Sequence, residues 1–338
     1  MRWLKRLLAL VAFGIVLYLF WPLVGELRAV ADLLRQARWA WLVAAVVIHI
    51  ISYISLTALN YLLLQPFGGQ ISFMRLMAIL PTMAFIEVAI PSAGVSGVVL
   101  RARFLGRSGY SVEASTFTLA IESIYLAVAM AAVSLSGLWY LIRSGEVGTR
   151  QLALLGGLAT VLLAVGVLII RYGRDREWMK RWADRVVAGW NRLAPRLHQP
   201  AAALDHFLAR VDAFYDGLAQ LRQTPRWPYW IAAISRVALD VATLYACFAA
   251  FRYAISPGVL LTGYGLMLLL SSLAALPGGL GLADASLAVV YDRLGTPGAV
   301  AVAASLTYRL ITFWLLRFIG FICWQLLEAQ KRDNLPEV

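Results

Sequence analysis

Ile90-Pro91-Ser92-Ala93-Gly94-Val95-Ser96-Gly97 and Leu276-Pro277-Gly278-Gly279-Leu280-Gly281 are the two places where this chain interrupts its own apolar helices. Each follows an apolar half-helix, one starting at Phe73 and the other at Val259. Proline removes a backbone donor and glycine lowers helix propensity. Broken backbone of this kind survives in hydrocarbon only where protein or a wet cavity satisfies it. Both stretches are therefore predicted to be helical hairpins with their turns inside the membrane.

The surroundings support a membrane setting. Of 338 residues, 61% are hydrophobic and 14% charged, and the mean hydropathy is +0.75. Soluble domains are about 45–50% apolar and about 25% charged. Apolar runs at 7–24, 39–64, 115–142, 151–170, 229–251 and 300–327 approach or exceed the roughly 20 residues a span needs. The first run follows Met1-Arg2-Trp3-Leu4-Lys5-Arg6 without an A-x-A-like cleavage site, and reads as a retained anchor. The expected fold is an all-α polytopic membrane protein forming one domain over 1–338. It has about six full spans plus two opposed re-entrant helical hairpins, arranged like an inverted repeat.

Charge places the hairpins. The net charge is +12, and Lys/Arg-rich loops stay in the cytoplasm. With Arg2, Lys5 and Arg6 inside, full crossing by every apolar stretch would put the basic segment 171–228 outside. A re-entrant 73–99 keeps Arg101, Arg103 and Arg107 inside and brings that segment back. A second re-entrant stretch, 259–291, returns the tail with Lys331 and Arg332. Inner-membrane localisation with both termini cytoplasmic follows.

The halves also read alike. Gly109-Tyr110-Ser111 follows the first interruption and Gly295-Thr296-Pro297 the second, and a long helix comes after each. These helices carry Glu122, 31 residues beyond Pro91, and Arg309, 32 residues beyond Pro277. Paired interrupted segments in corresponding halves point to a midplane substrate site. Pro91, Gly94, Gly97, Pro277, Gly278, Gly279 and Gly281 are the expected turn residues.

Segment 171–228 holds 11 Lys/Arg and 6 Asp/Glu. Trp178, Trp182, Val186 and Trp190 recur at four-residue spacing beside Arg181, Arg185 and Arg192, as in a helix lying at the headgroup interface. The competing reading is two soluble helices packed on each other. A second stripe runs from Leu204 to Leu218.

Ionisable residues at membrane depth are costly and suggest function. Those here are Glu87, Glu122, Arg236, Asp240, Asp284, Arg309 and Arg317. Arg236 and Asp240, at i and i+4, can neutralise each other. Glu122 and Arg309 are expected to pair across the repeat or to contact substrate. Asp284 lines the cavity or caps the second half-helix. Arg101 and Arg103, beyond the glycine turn, suit a phosphate or other lipid anion, with cytoplasmic anchoring as the alternative. His49 reads as a hydrogen-bonded packing residue. His198 and His206 are too isolated for a metal site, and Cys247 and Cys323 lie in apolar runs without ligand spacing. No cofactor, metal or nucleic-acid motif is present, nor HExxH, GxSxG, Walker A or GxGxxG. An enzyme is not expected.

Pro91-Ser92-Ala93-Gly94-Val95-Ser96-Gly97-Val98-Val99-Leu100-Arg101-Ala102-Arg103 resembles the first-half motif of the lysylphosphatidylglycerol synthase membrane region, part of a broader flippase-like family. Leu276-Pro277-Gly278-Gly279-Leu280-Gly281 with Tyr308-Arg309-Leu310 resembles its second motif. Glu122 matches a family glutamate. Asp284 stands where relatives usually carry Glu, and Ser123 where a basic residue often follows. The resemblance covers nearly the whole chain. It implies a lipid-translocase-like fold, and in two-part synthases the similar region flips aminoacylated phosphatidylglycerol made by a separate soluble domain. The chain ends at Val338 without such a domain, so lipid synthesis is not implied. The expected function is translocation of an anionic or headgroup-modified lipid, an aminoacylated one included. Arg101, Arg103 and Arg309 would hold the anion, Glu122, Asp284 and Asp240 would set the cavity's charge and couple to protons, and Arg236 counts among the substrate-binding residues. The alternative is a non-transporting scaffold that binds a lipid-modifying enzyme through 171–228.

Overall fold

The computed structural model describes residues 32, 35–89, 95–144, 175–193, 204–273 and 282–333, apart from some side chains within these stretches. Among them the chain is entirely helical. Helix α1 (Trp39–Leu64) ends in a tight turn at Gln65–Phe67, where Pro66 cannot continue the bond pattern. Then come α2 (Phe73–Ala89), α3 (Val95–Gly106) and α4 (Val112–Ser144). The polar segment supplies α5 (Arg176–Leu193) and α6 (Leu204–Leu221). The second half holds α7 (Trp227–Ala250), α8 (Pro257–Leu273), α9 (Leu282–Arg293) and α10 (Gly298–Arg309). A π-helical turn at Leu310–Leu315 joins α10 to α11 (Leu316–Asp333).

Among the described residues, four helical stretches are long and apolar enough to cross a membrane: Trp39–Phe67, Val112–Tyr140, Trp227–Ala250 and Gly298–Leu327. They match four of the expected spans. The runs 7–24 and 151–170 lie outside the described residues. Exposed apolar stripes, such as Ile231 and Ile234 on α7 and Leu310, Trp314 and Phe318 on the last helix, suit contact with lipid chains. The last expected span is not one regular helix, because the π turn begins directly after Arg309. Periodicity of apolar residues cannot reveal one extra residue in a turn.

The two halves match in detail. Helices α2 and α8 have 17 residues each, and α3 and α9 have 12 each. Helices α3 and α9 both end in the same left-handed glycine cap. Gly109 (φ 85°) donates to Gly106 O at 3.1 Å and Tyr110 N–H to Leu105 O at 3.2 Å. Gly295 (φ 91°) donates to Asp292 O at 3.0 Å and Thr296 N–H to Tyr291 O at 2.9 Å. These bonds satisfy the last carbonyls of each short helix and turn the chain into the long helix that follows.

Packing between the halves is reciprocal. Helices α1 and α7 make the most extensive contact, α4 crosses α8, and α11 crosses α2. Small residues allow the crossings: a Cβ at Gly265 would collide with Ser134, and one at Gly320 with the Pro81 carbonyl. Without lipid-exclusion energy to drive helices together, close van der Waals approach at such residues is what holds a bundle in hydrocarbon. Each half thus lays its long helix on the other half's 17-residue arm.

The polar segment is anchored to this body, since Phe214 meets Phe117 of α4 edge to face at 5.3 Å and Gly217 abuts the same ring. Helix α5 pairs with α6 through Arg176–Asp212 at 2.6 Å and Lys180–Asp212 at 2.8 Å. These cations hold the Asp212 carboxyl below the usual carboxylate range. Trp182 and Val186 remain exposed, beside exposed Arg181 and Arg185. The helices pack together, as the competing reading expects, and a mixed aromatic and basic face is left outward. The Trp190 and His206 side chains, and all of His198, lie outside the described residues.

Candidate polar sites in the helical bundle

One face of α1 is buried and polar: His49, Ser52, Tyr53, Thr57 and Asn60 recur at helical spacing, and all are buried. Its two ends, about 16 Å apart along the axis, meet two separate charged clusters.

At the Asn60 end, Arg101 comes in from α3. Its Nη1 donates to Glu122 Oε2 at 3.0 Å, and its Nη2 to Asn60 Oδ1 at 2.7 Å and Thr118 Oγ1 at 3.3 Å. Arg101 and Glu122 side chains are only 6% and 11% exposed. Glu122 is thus bonded to the arginine of its own half, a correction to the expected pairing with Arg309. The glycine-cap register explains the difference. It relates Gly109 to Gly295 and Pro91 to Pro277, and at the same offset Glu122 corresponds to Tyr308. Sequence spacing misses this by one residue, which is about 100° around a helix.

At the His49 end, Asp240 of α7 is approached by side chains from four helices. Arg236 Nη1 lies 2.8 Å from Oδ1, as the i, i+4 spacing predicts, and His49 Nδ1 lies 3.3 Å from it. The hydroxyls of Tyr264 and Tyr308 donate to Oδ2 at 3.0 and 3.1 Å. Arg236 also donates to Ser52 Oγ, which returns a bond to the Arg236 carbonyl at 2.9 Å. Both carboxylate oxygens accept hydrogen bonds, Oδ1 from Arg236 and Oδ2 from the two tyrosines, which is the condition under which a buried ion pair is tolerated.

The other expected site residues fall elsewhere. Arg309 and Arg317 both lie on the ring of buried Phe313, their guanidinium carbons 4.7 and 3.3 Å from its centre. Glu87 lies against Gly97, where a Cβ would meet its carboxylate. Gly97 is the third residue of α3 rather than part of a turn, and its missing side chain admits Glu87. Arg103 is exposed on α3, whereas Arg101 is enclosed by its partners. Asp284 is the third residue of α9, with its side chain outside the described set. Pro91, Gly94, Pro277, Gly278, Gly279 and Gly281 lie outside the described residues.

Residues that sequence reasoning passes over are Asn60, Thr118, Ser52, Tyr264 and Phe313. Spacing holds a signal for two of them, since Asn60 continues the His49 stripe and Phe313 lies midway between two arginines.

The sequence of the lysylphosphatidylglycerol synthase TM region matches residues 7–320. The chain belongs to this family. It is also similar to membrane proteins called UPF0104 in Methanothermobacter thermautotrophicus. One is 24% identical over 327 residues, covering 92% of each chain. Another is 26% identical over 326 residues, covering 93% of this chain and 91% of the relative. A third match, 24% identical over 178 residues, takes in about half of each chain, at 51% and 52%. The family match reaches from the first apolar run past Arg317, so it takes in both charged clusters and the Phe313 site.

Proposed function

We propose that this member of the lysylphosphatidylglycerol synthase TM family is a flippase-like carrier of an anionic or headgroup-modified lipid in the inner membrane. The observation that carries the reading is the reciprocal packing of two halves, with a buried charged cluster from each half meeting α1. Re-entrant hairpins from opposite leaflets, related as an inverted repeat, would bring irregular backbone and charge together at mid-depth, where substrate sites of such folds lie. Both termini and the α5–α6 pair are then cytoplasmic, with the exposed Trp182 and Arg185 face of α5 at the headgroups.

In this mechanism the lipid headgroup passes along the polar seam beside α1 while its acyl chains stay in the bilayer. Rocking of one half against the other at the α4–α8 and α11–α2 crossings exposes the seam to alternate leaflets. The clusters at Arg101–Glu122 and Asp240–Arg236 are self-neutralised, so they suit the task of holding helices while keeping the seam polar. No bond of the lipid is made or broken.

A proteoliposome assay with fluorescent phosphatidylglycerol and dithionite quenching tests the reading. Wild-type protein should raise the fraction of accessible probe from about half toward completion. Gly320→Leu, which wedges the α11–α2 crossing, should suppress this. Equal quenching in protein-free and protein-containing vesicles would overturn the proposal.

A further inference from the structure

The turn after α1 and the turn after α3 meet, because Gln70 N–H donates to Ser108 O at 2.9 Å. The first of these turns is longer than its counterpart in the second half. Seven residues, 65–71, separate α1 from Ser72, whose hydroxyl accepts the Arg75 N–H at 3.3 Å. Five residues, 251–255, separate α7 from Ser256, whose hydroxyl accepts the Val259 N–H at 3.3 Å. The longer turn holds Gly68, with φ 73°, and Gly69. A Cβ on Gly69 would lie 2.6 Å from the Tyr110 ring, so only glycine lets that ring approach.

A cavity of about 380 Å³ opens here, lined chiefly by Tyr61, Gln65, Gly69, Gln70, Ser72 and Tyr110. Its size falls in the range of small-molecule sites, about 300–1,000 Å³. The second half closes the same place. At the register that relates Gly109 to Gly295, Tyr61 and Tyr110 correspond to Cys247 and Thr296, both buried. The shorter turn there buries Phe251 and Ile255. The shared helix plan therefore does not require the cavity; the longer turn and its own side chains build it.

Two phenols, two carboxamides and a serine hydroxyl line the cavity, and no charged side chain does. Ser108, bonded to Gln70 through its carbonyl, adds a hydroxyl that is buried without a partner. An anion would find no cation in this lining, and a cation no carboxylate. A carboxamide offers a donor and an acceptor side by side, which matches neighbouring hydroxyls on a sugar. A phenol offers a flat apolar face with a polar tip, which matches the C–H face of the same ring. We infer that this cavity binds an uncharged sugar ring, carried on a lipid or free in solution. The apolar stretch Trp39–Phe67 ends at the cavity, so a sugar on a lipid would reach it from the headgroup layer. The site goes beyond the carrier reading and needs no transport.

Full-length protein in phosphatidylcholine nanodiscs is titrated with acyl-labelled glucosyl-diacylglycerol. Diacylglycerol is the headgroup-free control, phosphatidylglycerol the anionic control, and methyl glucoside the free competitor. The glucosyl lipid should bind at least about tenfold more tightly than either control. Gln65→Ala combined with Gln70→Ala changes exposed side chains and should remove about that preference. Tyr61→Leu should weaken binding as much, whereas Tyr61→Phe, which keeps the ring, should retain more of it. Arg222→Gln, an exposed change beyond α6, should bind like wild type. Competition by methyl glucoside supports recognition of the ring by itself. A preference that methyl glucoside leaves intact supports a sugar recognised on its lipid. Equal affinity for glucosyl-diacylglycerol and diacylglycerol, or tighter binding of phosphatidylglycerol, overturns the sugar assignment. Wild-type affinity in both the double glutamine variant and Tyr61→Leu overturns the site. The proteoliposome assay decides the carrier reading separately, so either conclusion can fail while the other stands.

Discussion

The two halves of this bundle share a helix plan but not an electrostatic plan. In the first, the buried arginine is on the short helix α3 and its carboxylate is on the long helix α4, so the ion pair ties two separate helices together. In the second, arginine and carboxylate are one turn apart on α7, and among the described residues α8 and α10 reach the carboxylate through tyrosine hydroxyls. A bundle whose halves are latched differently has one half bolted by charge and one fastened by neutral bonds.

Breaking the bolt should give the strongest signal. Arg101→Ala leaves Glu122 buried beside only neutral partners. Breaking a buried pair from one side costs about 3–5 kcal/mol. Thermal unfolding of the detergent-solubilised protein should show the loss. Arg101→Met combined with Glu122→Leu, which removes both charges, should recover most of it. A double variant as unstable as the single one would mean that the pair is not the latch.

Next comes the symmetry of the crossings. Gly320→Ala pushes a methyl group into the Pro81 carbonyl, and Gly265→Ala pushes one into Ser134. Overpacking of this kind costs about 1–3 kcal/mol, and the two variants should lose similar amounts because they strain matched crossings. Gly320→Ala should be the somewhat costlier, since backbone yields less readily than a serine rotamer. Gly189→Ala on α5 meets nothing within 4 Å and should not destabilise. Unequal losses of the opposite order would break the reciprocal picture.

The neutral fastening should give a smaller signal. Tyr264→Phe and Tyr308→Phe each remove one donor to Asp240 while His49 and Arg236 remain. Hydrogen bonds between membrane helices are worth about 0.6 kcal/mol on average. Each variant should therefore be mildly destabilised, far less than Arg101→Ala, and the contrast between them measures how differently the halves are latched.

Much of this is legible in the amino-acid sequence itself. The membrane class, four described spans, the paired halves and the Arg236–Asp240 pair all follow from hydropathy and local spacing. These are properties of neighbours within one or two turns. What the sequence hides is set by contacts far apart along the chain. Arg101 reaches Asn60, 41 positions away, and Tyr308 reaches Asp240, 68 away. Asn60 and Ser52 are masked because apolar residues surround them, so their helix still averages as a hydrophobic span. Arg309 stands out as a lone charge in an apolar run, whereas Tyr308 blends into it, so spacing alone assigns the matched position to the wrong neighbour.

The linking helices α5 and α6 give the control for this comparison, because their carboxylate is half-exposed rather than buried. Asp212 is held below its usual range by Lys180 and Arg176. A depressed carboxyl contributes fully above the unfolded value of about 3.9 and loses its contribution as pH falls through the lower folded value. Pairing of α5 with α6 should be constant from pH 8 to about 5 and loosen only below about 4. Exposed ion pairs are screened and weak, so the change should be slight. Spin labels at Ala188→Cys and Ala219→Cys, with Cys247 and Cys323 replaced by alanine, report the distance between the two helices. Asp212→Asn should remove the acid step. A transition near neutral pH would instead point to a group other than this carboxylate, and the helix pair would no longer serve as the water-exposed reference for the two buried latches.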